Sequence, residues 1–224
     1  MSDVKDKVVL ITGGARGIGA ETAKALAIKG AKVVITDVEE PALTAVAREI
    51  GGNALAVVAD VTDLDAMHRA VAAGIERFGG IDVVVANAGI ASYGSVLSVD
   101  PATFRRVIDI NINGVFHTVR AALPSLIERQ GYILVVSSLA AFAAVPGFAA
   151  YNASKAGIEH FTNALRLELT HQGVAVGSAH MSWIDTPLVQ DAKKDLDAFG
   201  QLVDSLPPPL NRTCLLYTSD AADE

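Results

Sequence analysis

The sequence predicts an α/β fold: a doubly wound parallel sheet with helices on both faces, in three α/β/α layers. Three observations lead there. Short apolar runs rich in β-branched residues recur at 7–11, 32–36, 54–58, 81–86, 132–136 and 174–179, and they read as buried strands. Between them lie stretches with helical periodicity, and strands that alternate with helices form parallel crossover units. A cluster of glycines stands directly between the first strand and the first helix, where such sheets place their ligands. No Pro/Ser-rich linker or internal repeat divides the chain, so a single domain over residues 1–213 is expected.

The first strand, residues 7–11, leads straight into Thr12-Gly13-Gly14-Ala15-Arg16-Gly17-Ile18-Gly19, and a helical pattern follows over 20–29. Strand, glycine turn and helix start make a phosphate site. Glycines remove Cβ atoms where backbone must approach a pyrophosphate, and a helix N-terminus offers unpaired N–H groups and a favourable dipole. The spacing T-G-x-x-x-G-x-G differs from the G-x-G-x-x-G dinucleotide fingerprint. The second strand ends at Asp37, eighteen residues beyond Gly19. A carboxylate there is placed to accept hydrogen bonds from ribose hydroxyls and to repel a 2′-phosphate, which favours NAD over NADP. Arg16 pulls the other way, since a guanidinium in the loop suits a 2′-phosphate; it equally suits the pyrophosphate or the surface.

Tyr151 and Lys155 are four residues apart on a predicted helix over 150–172, so both side chains share one face. A neighbouring cation favours phenolate, and the pair is then suited to exchange a proton with an alcohol or carbonyl oxygen near neutral pH. A second long helix is expected over 113–129. The uncharged stretch 131–154 is long enough to span a bilayer, but Ser137-Ser138 and Pro146-Gly147 interrupt it, and residues 132–136 read as a buried strand.

These motifs together resemble the short-chain dehydrogenase/reductase family, with the match running over residues 5–188. They arrive in family order: Thr12 to Gly19, Asp60-Val61, Asn87-Ala88-Gly89, Asn111, Ser138, Tyr151 and Lys155. The resemblance implies a Rossmann-like fold and a hydride exchanged between NAD(H) and a secondary alcohol or ketone. It implies a catalytic set of Asn111, Ser138, Tyr151 and Lys155. Ser138 would polarise the substrate oxygen, Tyr151 would give or take the proton, Lys155 would bind the nicotinamide ribose and lower the Tyr151 pKa, and Asn111 would hold a water. Ser137 is a rival to Ser138, but the thirteen-residue offset to Tyr151 fits Ser138. For the cofactor the resemblance implies Gly13, Arg16, Gly17, Ile18, Gly19, Asp37, Asp60, Val61, Asn87, Ala88, Gly89, Tyr151, Lys155, Ile184 and Thr186; no metal site is expected.

The chain departs from the family pattern after its sixth strand, where His180-Met181-Ser182 replaces the usual Pro-Gly. His180 reads as a structural residue more readily than as a pocket wall. Residues 187–206 are expected to form an apolar substrate lid through Leu188, Val189, Leu196, Phe199, Leu202 and Leu206. Past Pro207-Pro208-Pro209 the family's last strand is missing, and 214–224 reads as a non-native tail. A formal charge of −7 without a basic cluster gives no footprint for nucleic acid or anionic membrane. The single cysteine, Cys214, excludes an internal disulfide, and no apolar signal segment opens the chain, so a cytoplasmic location is expected. The resemblance further implies a homo-oligomer, paired through the two long helices and through the terminal strand. Two other functions fit the same fold: an NADP-linked 3-oxoacyl reductase, against which Asp37 argues, and a non-catalytic nucleotide sensor, against which the complete catalytic set argues.

Overall fold

The computed structural model describes residues 4–182 together with Ile184, Thr186 and Gln190. Its strands are β1 (Val8–Thr12), β2 (Lys32–Asp37), β3 (Ala54–Val58), β4 (Val83–Ala86), β5 (Tyr132–Ser138) and β6 (Ala175–Met181). All pair in parallel, in the order β3-β2-β1-β4-β5-β6. The fold is Rossmann-like, and the order reverses between β1 and β4, which opens a crevice at their carboxyl ends.

Alternation along the strands sorts the core into two. Val8, Leu10, Val34, Val84 and Ile133 point to the face covered by α3 (Leu64–Phe78), α5 (Gly114–Glu128) and α6 (Ala149–Leu169). Val9, Ile11, Val33, Ile35 and Val85 point to the opposite face, covered by α1 (Gly17–Ile28) and α2 (Glu40–Ile50). Burial on both faces explains why these strands are continuous apolar runs.

Boundaries differ from the expected ones where polar groups intervene. The fourth strand starts at Val83 rather than at 81, because the Ile81 N–H donates to Ser125 Oγ at 2.8 Å instead of to a neighbouring strand. The first helix begins at Gly17, so the end of the glycine loop is its first turn. An additional helix, α4 (Pro101–Ile108), is capped by Asp100, whose carboxylate accepts the Thr103 N–H at 3.0 Å. It continues through a π-helical turn, Asp109–Asn113, into α5, so one kinked rod stands where only its second half was expected. Among the described residues no helix is long and apolar enough to cross a membrane; the stretch 131–154 divides into β5, a loop and the start of α6. The long helices expected as a pairing surface are present as α5 and α6. The terminal strand, most of the 187–206 lid and the 214–224 tail lie outside the described residues.

One buried charge fastens the sheet to its helices. The Asp82 carboxylate accepts Val8 N–H at 2.9 Å and a two-pronged contact from Arg129, Nε at 3.0 Å and Nη2 at 3.3 Å, with Lys7 Nζ at 3.4 Å. Burial pushes its pKa up, but Val8 N–H, Arg129 and Lys7 outweigh that and hold it below the usual 3.8. Its contribution to stability is therefore complete above pH 3.8 and is lost as pH falls through the folded value. Asp82→Asn is expected to cost about 2 kcal/mol at pH 7 in urea unfolding, since an amide keeps the Val8 acceptor and loses the charge. The difference should shrink as the acid limb is reached; equal stability at pH 7 would remove Asp82 from this role.

Candidate active site

The crevice between β1 and β4 widens into a cavity of about 1340 Å³ that extends from the glycine loop to Tyr151 and Met181. Backbone closeness builds its floor. Gly13 has φ +67°, and a Cβ there would stand 2.9 Å from Asn87 Nδ2. At Gly19 a Cβ would collide with Gly13 O and sit 2.6 Å from the same amide nitrogen. Asn87 then ties the loop down: Nδ2 donates to Thr12 O at 2.9 Å and Gly13 O at 3.2 Å, while Thr12 Oγ1 accepts the N–H groups of Asn87 and Ala88, each at 3.1 Å.

At one end of the cavity stands Asp37. Its Oδ2 accepts Ala15 N–H and its Oδ1 accepts Glu39 N–H, each at 3.1 Å, so one carboxylate clamps the glycine loop to the loop after β2. Arg16 and Glu39 bridge the same two loops by an ion pair. Asp60 turns its own loop, accepting Thr62 N–H and Thr62 Oγ1 at 2.8 Å each, and Val61 O is held by His117 Nδ1 at 2.9 Å.

At the other end are Ser138, Tyr151 and Lys155. Helix α6 packs against β5, so Tyr151 and Ser138 line the same end of the cavity, and Lys155 lies with Nζ 5.6 Å from the Tyr151 ring centroid. The ammonium donates to Val136 O at 2.9 Å rather than to the phenol. Burial pushes the Tyr151 pKa up, with the nearby Ser138 hydroxyl pulling it back, and burial alone lowers Lys155 from 10.5 to about 8. The sequence led us to expect Lys155 to lower the phenol pKa; here the ammonium is turned to a carbonyl, 5.6 Å from the ring centroid.

Of the expected site residues, Gly13, Arg16, Gly17, Ile18, Asp37, Asp60, Val61, Asn87, Ala88, Gly89, Ser138, Tyr151, Lys155, Ile184 and Thr186 all line the cavity. Gly19 and Asn111 stand behind its wall. Gly19 is where α1 packs on the loop. Asn111, 1% exposed, spends both amide hydrogens on Ile90 O and Ser154 Oγ, at 2.9 Å each, and its Oδ1 accepts Ile90 N–H at 2.9 Å. Its side chain is thus a clamp between the π turn, the chain after β4 and α6, with no amide hydrogen left for a water. Ser137 Oγ is buried with no hydrogen-bond partner among the described residues, whereas Ser138 Oγ accepts the Ala140 N–H at 3.1 Å and its hydroxyl pulls the Tyr151 pKa down. His180 is outside the cavity, paired with Glu159 at 2.8 Å and edge-on to Phe142; Met181 and Ser182 line the wall instead.

Sequence reasoning passed over three participants. Glu39 pairs with Arg16 across 23 residues. Asn152 donates to Ala140 O at 2.8 Å and Ala143 O at 3.0 Å and accepts Val145 N–H at 3.3 Å, which pins the loop after Ser138. Ser154 links Asn111 to Tyr151 O, the latter at 2.8 Å. The last two sit inside the Tyr-Asn-Ala-Ser-Lys run, and that was the available signal.

Strand order, glycine loop and the phenol–ammonium end define a Rossmann-like α/β protein with one continuous cleft from loop to phenol. Residues 7–197 match the model of the short chain dehydrogenase family, and the chain belongs to that family of NAD(P)H-binding oxidoreductases. It is 38% identical over 208 residues to trans-4-hydroxycyclohexanecarboxylate dehydrogenase of Sinomonas cyclohexanicum, covering 89% of this chain and 79% of that one. It is 36% identical over 194 residues to 2,5-dichloro-2,5-cyclohexadiene-1,4-diol dehydrogenase of Sphingobium indicum, covering 85% and 78%. Among solved structures, 3-ketoacyl-(acyl-carrier-protein) reductase of Brucella melitensis complexed with NADH superposes with a TM-score of 0.86 at 34% identity, covering 95% of this chain and 87% of that one.

Proposed function

We propose that this chain oxidises a secondary alcohol on a six-membered ring, or reduces the corresponding ketone, with NAD(H) as partner and Tyr151 as the proton-transfer residue. The observation that carries the reading is the placement of Ser138, Tyr151 and buried Lys155 together at one end of a cleft whose other end is Asp37. The Cβ-free approach at Gly13, and the carboxylate facing the loop, fit a dinucleotide. Gly13, Gly17 and Ile18 would lie along its pyrophosphate, Asp37 at the adenosine ribose, Asp60 and Val61 at the adenine, and Ile184 and Thr186 at the carboxamide. When bound, NAD supplies the hydride acceptor.

The chain's own residues handle the proton. Ser138 Oγ, fixed by accepting the Ala140 N–H at 3.1 Å, orients the substrate oxygen beside the phenol. Tyr151 Oη accepts the hydroxyl proton during oxidation and returns it during reduction. Lys155 adds a positive charge beside the ring, which favours phenolate in the loaded site. Ile90, Leu139, Val145, Phe148 and Met181 make the substrate end apolar, and Phe148 is edge-on to Tyr93 at 5.0 Å. The two curated relatives are named for six-membered rings, and that supports the choice of ring alcohols over open acyl chains.

The test is NADH formation with a panel of ring alcohols and of linear 3-hydroxyacyl thioesters. Ring alcohols should have kcat/KM at least about tenfold higher, a gap of roughly 1.4 kcal/mol in transition-state binding. The reverse ranking would replace the substrate assignment and keep the mechanism. NAD⁺ is expected to bind at least about tenfold more tightly than NADP⁺, because Asp37 would face the added phosphate. Parallel calorimetric titrations measure this, and equal affinities would overturn the role of Asp37.

A further inference from the structure

Three charged side chains meet where the glycine loop faces the loop after β2, and the family's fingerprint accounts for two of them. Arg16 lies in the glycine loop, where its guanidinium would suit a 2′-phosphate; Asp37 ends β2. The third, Glu39, lines the same cavity and holds Arg16 in an ion pair. Glu39 is itself positioned by Asp37, which accepts its N–H at 3.1 Å. Arg16 and Glu39 are each about half exposed, with side-chain exposures of 54% and 47%, so the pair adds little to stability. What it changes is the charge on offer. Two carboxylates against one guanidinium leave a net negative charge for an incoming phosphate that itself carries nearly two.

We propose that Glu39 is a second determinant of cofactor choice, a positioning residue that keeps the Arg16 guanidinium engaged and so denies it to a 2′-phosphate. This rests on the cofactor cleft assigned above. Without Glu39 the loop cation is free, the local charge falls to neutral, and NADP⁺ gains more than NAD⁺. Asp37 then excludes the phosphate by proximity, while Glu39 does so by occupying its natural partner.

The test is a set of calorimetric dissociation constants for NAD⁺ and NADP⁺ on the full chain as wild type, Glu39→Gln, Arg16→Ala and the double variant. Glu39→Gln should lower the ratio of the NADP⁺ to the NAD⁺ constant about tenfold, the size expected from removing one charge near a phosphate. Adding Arg16→Ala should return most of that gain, and raising the salt concentration should erode it. A merely structural loop contact would shift both constants together and leave the ratio fixed, which would overturn the proposal. So would a gain that survives Arg16→Ala in the double variant, because Arg16 would then have no part in it. Failure of wild type to bind either dinucleotide would instead bring down the assignment of the cleft, and with it the premise of this inference.

Discussion

Tyr151→Phe is expected to lose about 10²–10⁴-fold in kcat, the range typical of removing a general acid or base, with the cofactor dissociation constant within about threefold of wild type. One oxygen is deleted. The ring that remains keeps its edge contact with Phe148, whose centroid is 6.5 Å away, so the helix and the wall around it have no reason to move. Ser138 keeps the Ala140 N–H. Steady-state rates with cofactor titrations on the same preparations separate the two quantities. Turnover within tenfold of wild type would end the assignment of Tyr151 as the proton-transfer group.

Lys155→Met should stabilise the protein while disabling it. Lys155 is buried with one carbonyl, Val136 O, as its hydrogen-bond partner among the described residues, and burial brings its pKa from 10.5 to about 8. Keeping the ammonium charged at neutral pH therefore costs roughly 3 kcal/mol, at 1.36 kcal/mol per pH unit. Between about pH 8 and 10.5 the unfolded chain retains a proton that the folded chain has released, so wild-type stability climbs across that window; below it the full cost is carried. Methionine fills similar space without charge, and the variant should be about 1–3 kcal/mol more stable at pH 7, less the lost carbonyl contact. Its advantage should fade as pH approaches 10.5. Turnover should fall at least about 10²-fold and NAD⁺ affinity about tenfold, since the charge beside the phenol and a ribose donor vanish together. Urea unfolding at several pH values checks the sign: a variant that is less stable at pH 7 would show that the ammonium is better solvated than its burial implies.

The inner strands β1, β2, β4 and β5 were legible because strands covered on both faces are largely apolar, and such runs leave no competing periodicity. Most of the cleft was legible for a related reason: Gly13, Asp37 and Tyr151 act at strand ends or at one-turn spacing, which local sequence reports. Residues whose roles depend on separate loops meeting were not. Glu39 looks like any solvated carboxylate until β2 brings it to Arg16. Helix α4 buries Val107 alone among its eight residues and owes its start to the Asp100 cap, so its apolar pattern is too thin to announce it. Asn111 was assigned to a water; the three hydrogen bonds that tie its amide to Ile90 and Ser154 went unforeseen, because only the folded chain juxtaposes those residues.

Asn152 has a consequence of its own. It sits one residue after Tyr151 and grips the loop that follows Ser138 at three backbone points, two as donor and one as acceptor. The phenol and the hydroxyl it meets therefore belong to one mechanical body, although they come from a helix and a strand. Thermal motion that opens the loop must pull on the helix turn beside the phenol, so the pair opens cooperatively rather than drifting apart by fractions of an ångström. Under the mechanism proposed above, substrates would come and go over the apolar wall without resetting the distance across which the proton moves.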